Sequence, residues 1–231
     1  VKRYRHLFFD LDHTLWDFRT NSRETLRELH AELGLLEHGV EDIGEFIETY
    51  EEVNADLWSK YEAGQIEKAV LRVLRFRNTL VRFGVRNDRL TTTLGHEYIT
   101  RCPRRTALSP GVPELLDLAR KEHRIHIITN GFEEVQHVKV ACSGLAPYID
   151  VLLTSERAGA GKPDPRIFHL AMRKAGAAAE DSLMIGDSAG NDMAGARGVG
   201  MDHAHYTAED APDPLATVRF AHFDELRALL R

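Results

Sequence analysis

The sequence predicts an α/β fold of Rossmann type, a buried parallel sheet flanked by helices and interrupted after its first strand by an all-helical insert. Three observations predict it. Short apolar runs recur, each ending in a polar or acidic residue and each too short for a helix. A helix-like stretch follows each run, which is the rhythm of βαβ units around a buried parallel sheet. Between about residues 16 and 101 that rhythm stops and apolar residues recur three and four apart instead.

The first run is Leu7-Phe8-Phe9, ending at Asp10. Within the insert, residues 22–33 repeat apolar side chains at Leu26, Leu29 and Leu33, and residues 45–61 and 66–83 behave similarly. Gly34, Gly64 and Gly84 stand where those helices should stop. The sheet-bearing part resumes at Leu108-Ser109-Pro110-Gly111, a turn that opens a helix through Leu115, Leu116 and Leu118. Further runs follow at residues 125–128 before Thr129, at 151–153 before Thr154, and at Leu183-Met184-Ile185 before Gly186-Asp187. Weaker strand patterns cover residues 201–206 and 217–221. The expected division is a core of residues 1–15 and 104–231 and an insert of residues 16–103. A hinge is expected near Trp16 and residues 102–108, where the chain crosses between the two.

At 231 residues and a formal charge of −6, with both signs interspersed, the chain has length for a substantial core and no positive field to hold a nucleic-acid backbone. Nucleic acid is therefore not an expected partner. Within the insert, residues 72–89 are rich in arginine and residues 41–56 in acid, a pattern read as a solvated face or as a guide for an anionic substrate. The two cysteines, Cys102 and Cys142, form neither a CxxC pair nor a Cys/His zinc pattern. A reducing cytoplasm is the expected location. The opening VKRYRHLFFDLDHT reaches a charge after three apolar residues, too soon for a signal peptide, and no later stretch is long enough to span a membrane.

Four polar strings follow strand ends. Asp10-Leu11-Asp12-His13-Thr14 puts Asp10, Asp12 and Thr14 on one side of an extended chain, beyond a strand's carboxyl end where open α/β sheets bind ligands. Two carboxylates crowded there call for a cation or a shared proton; the string also reads as surface turn chemistry. Thr129-Asn130-Gly131 offers a hydroxyl and backbone amides suited to a phosphate oxygen, or ordinary helix capping. Gly161-Lys162-Pro163-Asp164-Pro165 stiffens the chain around a lysine, which either neutralises an anion or is solvated in a proline turn. Gly186-Asp187-Ser188 and Asn191-Asp192 add a second acid pair, whose hard oxygens suit magnesium over zinc, or which cap a helix.

Acid pair, hydroxyl, lysine and acid pair in that order resemble the four motifs of the haloacid dehalogenase (HAD) superfamily, matched here at Asp10/Asp12, Thr129, Lys162 and Asp187/Asp192. The resemblance covers essentially the whole chain, and the insert sits where that superfamily carries its helical C1 cap. It implies an HAD-like core with a cap, and a magnesium-dependent phosphatase. Asp10 is then the nucleophile that forms an aspartyl phosphate. Asp12 is the acid and base, and Thr129, the Asn130 and Gly131 amides and Lys162 hold the phosphoryl oxygens. Magnesium would bind Asp10, Asp187 and the backbone carbonyl of Asp12, with Asp192 supporting them directly or through water. Asp12 also argues against dehalogenation, since a halide leaves without a proton.

Asn54, Trp58 and Tyr61, with Trp16 and Phe18 leading into the insert, are similar in spacing to the cap of the pyrimidine 5′-nucleotidase branch. Rings there could stack on a base, and His13 is expected at the rim; packing within the insert is the competing role. The expected partner is a small phosphate monoester, foremost a nucleotide, with phosphoglycolate or a sugar phosphate as alternatives and no obligate protein partner or membrane. A phosphorylatable signalling module would place its acid pair before a later phosphoacceptor and lack the insert. His203 and His205 alternate as on a strand, but no third soft ligand accompanies them.

Overall fold

Each apolar run becomes a strand of one parallel sheet: β1 (His6–Phe9), β2 (Arg124–Thr129), β3 (Ile149–Thr154), β4 (Ser182–Gly186), β5 (Asp202–Tyr206) and β6 (Val218–Phe220). Their order is β3-β2-β1-β4-β5-β6. Both weaker patterns are strands, β5 and β6. The computed structural model describes residues 4–207 and 213–230. In chain order the helices are α1 (Phe18–Glu32), α2 (Ile43–Glu62), α3 (Lys68–Arg82), α4 (Asp88–Arg101), α5 (Val112–Ala119), α6 (Glu133–Cys142), α7 (Ser155–Ala158), α8 (Pro165–Ala175), α9 (Ala194–Gly198) and α10 (Phe223–Leu229).

The chain divides into two compact units, Val1–Phe18 with Thr106–Arg231, and Arg19–Arg105. In the first, β1 is central and fully buried, which is why it is apolar throughout. Phe9 pairs in register with Ile127 of β2 and Ile185 of β4. Asp10 and Gly186-Asp187 therefore leave the sheet side by side, and the Asp10 amide donates to the Ile185 carbonyl at 2.9 Å. The chain steps outward from β1 through β2 to β3 and then returns to the far side of β1 for β4, so the carboxyl ends of β1 and β4 flank the switch point of the sheet.

On one face Phe8, Ile128, Leu153 and Met184 pack with Ile167, Phe168, Ala171 and Met172 of α8 and Ala196 of α9. The approach of α9 requires glycine: a Cβ at Gly195 would lie 2.3 Å from the Phe168 ring. Asp164 caps α8 from the Arg166 amide, Pro165 starts it, and left-handed Gly176 ends it.

The second unit holds α2, α3, α4 and all of α1 beyond Phe18. α1, α2 and α3 fall on the three periodic stretches; α1 starts four residues early and ends one short, and α3 is trimmed by two residues at its start and one at its end. Gly34, Gly64 and Gly84 adopt φ of +60°, +70° and +76° at the predicted stops. α4 was not isolated by periodicity, because three consecutive threonines and Gly95 dilute its apolar stripe. Its interior is aromatic: Tyr50, Phe76 and Tyr98 stand with centroids 5.1–5.4 Å apart. The acid-rich and arginine-rich stretches pair across helices, Glu52 of α2 with Arg82 of α3 at 2.7 Å; such exposed pairs add little stability. No helix among the described residues is long and apolar enough to cross a membrane.

Candidate active site

Three carboxylates converge where β1 and β4 end. Asp10, Asp187 and Asp192 each offer an oxygen, and these lie within 4.8 Å of one another. Each is placed by its neighbours. The Thr14 hydroxyl donates to Asp187 Oδ1 at 3.1 Å, and the Ser188 amide to Asp192 Oδ2 at 3.0 Å. Gly186 leaves room, since a Cβ there would stand 2.2 Å from Asp192 Oδ2. Lys162 Nζ reaches Asp10 Oδ1 at 2.5 Å and Asp192 Oδ1 at 2.6 Å.

The cluster carries more negative charge than one ammonium neutralises. Burial, then the charges of Asp192 and Asp187, push the Asp10 carboxyl well above its ordinary range, against the pull of Lys162. Burial and Asp192 likewise raise Asp187. Burial alone would favour neutral Lys162, but Asp10 and Asp192 hold it protonated. Three hard oxygens with an uncompensated excess of charge fit a divalent cation of the magnesium type.

A hydroxyl and a lysine loop adjoin the cluster. Thr129 Oγ1 accepts from the Gly131 amide at 3.1 Å and from Gln136 Nε2 at 2.7 Å. With two acceptor sites used, its O–H is left to donate, as a phosphate oxygen requires. The Asn130 side chain clasps the Lys162 backbone from both ends, Nδ2 donating to its carbonyl at 3.0 Å and Oδ1 accepting from its amide at 2.7 Å. The helix expected here starts at Glu133, two residues beyond Gly131.

Asp12 sits in a different setting. Lys139 Nζ donates to its Oδ1 at 2.5 Å and Gln136 Nε2 to its Oδ2 at 2.8 Å. Burial would raise its carboxyl, but Lys139 and Gln136 outweigh burial and hold it below the usual carboxylate range. Fully buried Trp16 lies under Lys139, with Nζ 4.4 Å from the ring centroid. His13 is exposed at φ +63°, its ring 4.8 Å from Phe18.

Asn54, Trp58 and Tyr61 lie on one side of α2 in the second unit, Asn54 buried, Trp58 and Tyr61 half-buried and edge to face at 5.5 Å. The first unit thus gathers Asp10, Asp12, Thr129, Asn130, Gly131, Lys162, Asp187 and Asp192. His205 Nε2 meets the Asp187 carbonyl at 2.9 Å while its Nδ1 accepts from the Asp213 amide, and His203 meets the Leu215 carbonyl at 3.1 Å. Gln136 and Lys139 escaped the sequence reading; their one signal is polarity three residues apart on a helix side that proves to be buried.

A haloacid dehalogenase-like hydrolase family model matches residues 4–200. The chain is 33% identical to the pyrimidine 5′-nucleotidase YjjG of Escherichia coli over 97% of this chain and 96% of the relative. It is also 33% identical to the pyrimidine 5′-nucleotidase PynA of Streptococcus pneumoniae, over 88% and 84% of the two chains. The magnesium-bound crystal structure of the putative HAD-hydrolase YfnB of Bacillus subtilis superposes with a TM-score of 0.86 at 26% identity, covering 99% of both chains.

Proposed function

Because this chain belongs to the haloacid dehalogenase-like hydrolase family, we propose that it is a magnesium-dependent phosphatase that hydrolyses pyrimidine nucleoside 5′-monophosphates through an aspartyl phosphate on Asp10. The observation that carries this reading is the meeting of Asp10 with Lys162, Asp187 and Asp192 at the carboxyl ends of β1 and β4. The nucleotide part rests on likeness to two nucleotidases along most of the chain.

Asp10 has Oδ1 fixed by Lys162, and its carboxylate attacks phosphorus. Lys162 and the Thr129 hydroxyl meet the charge that grows on the phosphoryl oxygens. Asp12 protonates the departing ester oxygen and afterwards takes a proton from the water that opens the aspartyl phosphate. The carboxylates of Asp10 and Asp187 and the backbone carbonyl of Asp12 would hold magnesium, with Asp192 in support. Bound there, the ion supplies positive charge to the phosphoryl oxygens and relieves the repulsion among the acids. His13 would line the rim. Phosphate monoester hydrolysis needs acceleration approaching about 10²¹-fold, whereas one general acid contributes about 10²–10⁴, so the groups act as a set.

A panel of phosphate esters assayed with magnesium tests the proposal. Release from pyrimidine nucleoside monophosphates is expected to exceed release from sugar phosphates and phosphoglycolate. Equal or reversed preference would remove the nucleotide assignment, and no release from any ester would remove the phosphatase reading.

A further inference from the structure

Two side chains outside all four motifs converge on Asp12. α6 follows directly from the loop of Thr129 to Gly131, and residues three apart on a helix share a side. On α6 that side carries Gln136 and Lys139, both buried where a packed helix ordinarily presents apolar residues. Each Asp12 oxygen has its own donor, Lys139 Nζ at 2.5 Å and Gln136 Nε2 at 2.8 Å. Gln136 Nε2 also reaches Thr129 Oγ1 at 2.7 Å, so one amide ties Asp12 to the hydroxyl beside it. Turning that amide over would aim Oε1 at a carboxylate; in the orientation it keeps, buried Oε1 has no partner among the described residues. Lys139 is fixed from a second direction by the rings of Trp16 and Phe18, at 4.4 and 5.4 Å. The backbone accommodates the arrangement, since a Cβ on Gly131 would stand 2.0 Å from Gln136 Nε2. A buried ammonium and a half-satisfied amide are poor choices for stability alone.

We propose that Gln136 and Lys139 are positioning residues that hold the Asp12 carboxyl group where it can exchange a proton with the ester oxygen and with water. The inference rests on the phosphatase reading above. In the first step an Asp10 oxygen bonds to phosphorus, the ester P–O bond breaks with its electron pair on the leaving oxygen, and a proton that the Asp12 carboxylate has taken from solvent, or from the water of the preceding turnover, goes to that oxygen. In the second, water oxygen bonds to phosphorus, the bond to Asp10 breaks, and the proton from water goes to Asp12. Gln136 and Lys139 gain and lose nothing in either step.

An alkoxide leaving group depends on that proton, whereas 4-nitrophenolate departs without it. Lys139→Met and Gln136→Met are therefore compared with the unsubstituted enzyme on uridine 5′-monophosphate and on 4-nitrophenyl phosphate, with magnesium and with thermal unfolding as the control for folding. The two substitutions act on different oxygens of Asp12, so either folded variant decides the question. The expected result is a loss in kcat of about 10²-fold on the nucleotide and under about tenfold on the nitrophenyl ester, with KM changed less than about threefold. Equal losses on the two esters, a loss confined to KM, or no loss would overturn the positioning role while leaving the phosphatase reading intact. An unsubstituted enzyme that hydrolyses neither ester would overturn that reading and the inference with it.

Discussion

Lys162 and Arg75 are both buried cations, one in each unit, and they are held in opposite ways. Lys162, 5% exposed, sits between the carboxylates of Asp10 and Asp192 with a third acid near, and its loop is clasped by Asn130. Arg75, also 5% exposed, has no carboxylate partner among the described residues; its guanidinium lies over Phe76 and Tyr98 at 5.2 and 4.9 Å. Its Nε, like Tyr50 Oη and Asn54 Oδ1 in the same unit, lacks a hydrogen-bond partner there. The lysine answers an excess of negative charge, and the arginine is set among aromatic side chains, over the rings of Phe76 and Tyr98 and beside the Tyr50 phenol. Burial by itself therefore does not mark a functional cation; the charges arranged around it do.

The largest expected effect lies on the acid side of the lysine's cluster. Asp10→Asn should lower phosphate release by more than about 10⁴-fold while thermal unfolding stays cooperative; a rate within tenfold of the unsubstituted enzyme's would break the contrast at its strong end. Next, Lys162→Met leaves three buried carboxylates without their ammonium. It should reduce unfolding free energy in magnesium-free buffer by about 3–5 kcal/mol, read from denaturant titration.

A third buried titratable group is held differently again: its ring packs against those of His6 and Phe8 at 5.3 and 4.7 Å, and the charge of Asp150 offsets only part of the cost of burying it. His126, on β2, meets His6 at 3.1 Å, and burial, then the neighbouring His6, depresses its pKa from 6.5 to about 4. The unfolded chain therefore binds this proton more readily than the folded one. Stability present above pH 6.5 is lost as pH falls toward about 4, by about 3 kcal/mol. His126→Phe should flatten that part of the pH–stability curve; an unchanged slope would assign it elsewhere. Smallest of all, Arg75→Met should alter stability by less than about 1 kcal/mol or raise it. A loss as large as that of Lys162→Met would show that the two cations are held alike.

Much of this was legible because strand ends carry the chemistry. Asp10, Thr129 and Asp187 each follow an apolar run, so a reader of the chain meets them as punctuation, and the parallel register of β1, β2 and β4 then brings them to one edge. Gln136 and Lys139 were not legible, because α6 also carries Val135, Val138 and Val140 and its pattern does not say which side faces Asp12. Nor could periodicity show that Gly131 makes room for a glutamine five residues later, or that Thr14 steadies Asp187 across 173 residues. In the second unit the pattern located α1, α2 and α3 but not Arg75, whose setting depends on how three helices bring aromatic rings together.

The proposed reaction turns on Asp10 taking the phosphoryl group covalently. Stopping the reaction during turnover of a nucleotide with magnesium, reducing the protein with borohydride and sequencing its peptides by mass spectrometry tests it most directly, because an acyl phosphate is reduced to an alcohol and an ordinary carboxylate is not. Homoserine is expected at position 10, dependent on substrate and absent from Asp10→Asn. Steady turnover with an unreduced Asp10, or reduction at another acid of the cluster, would contradict it.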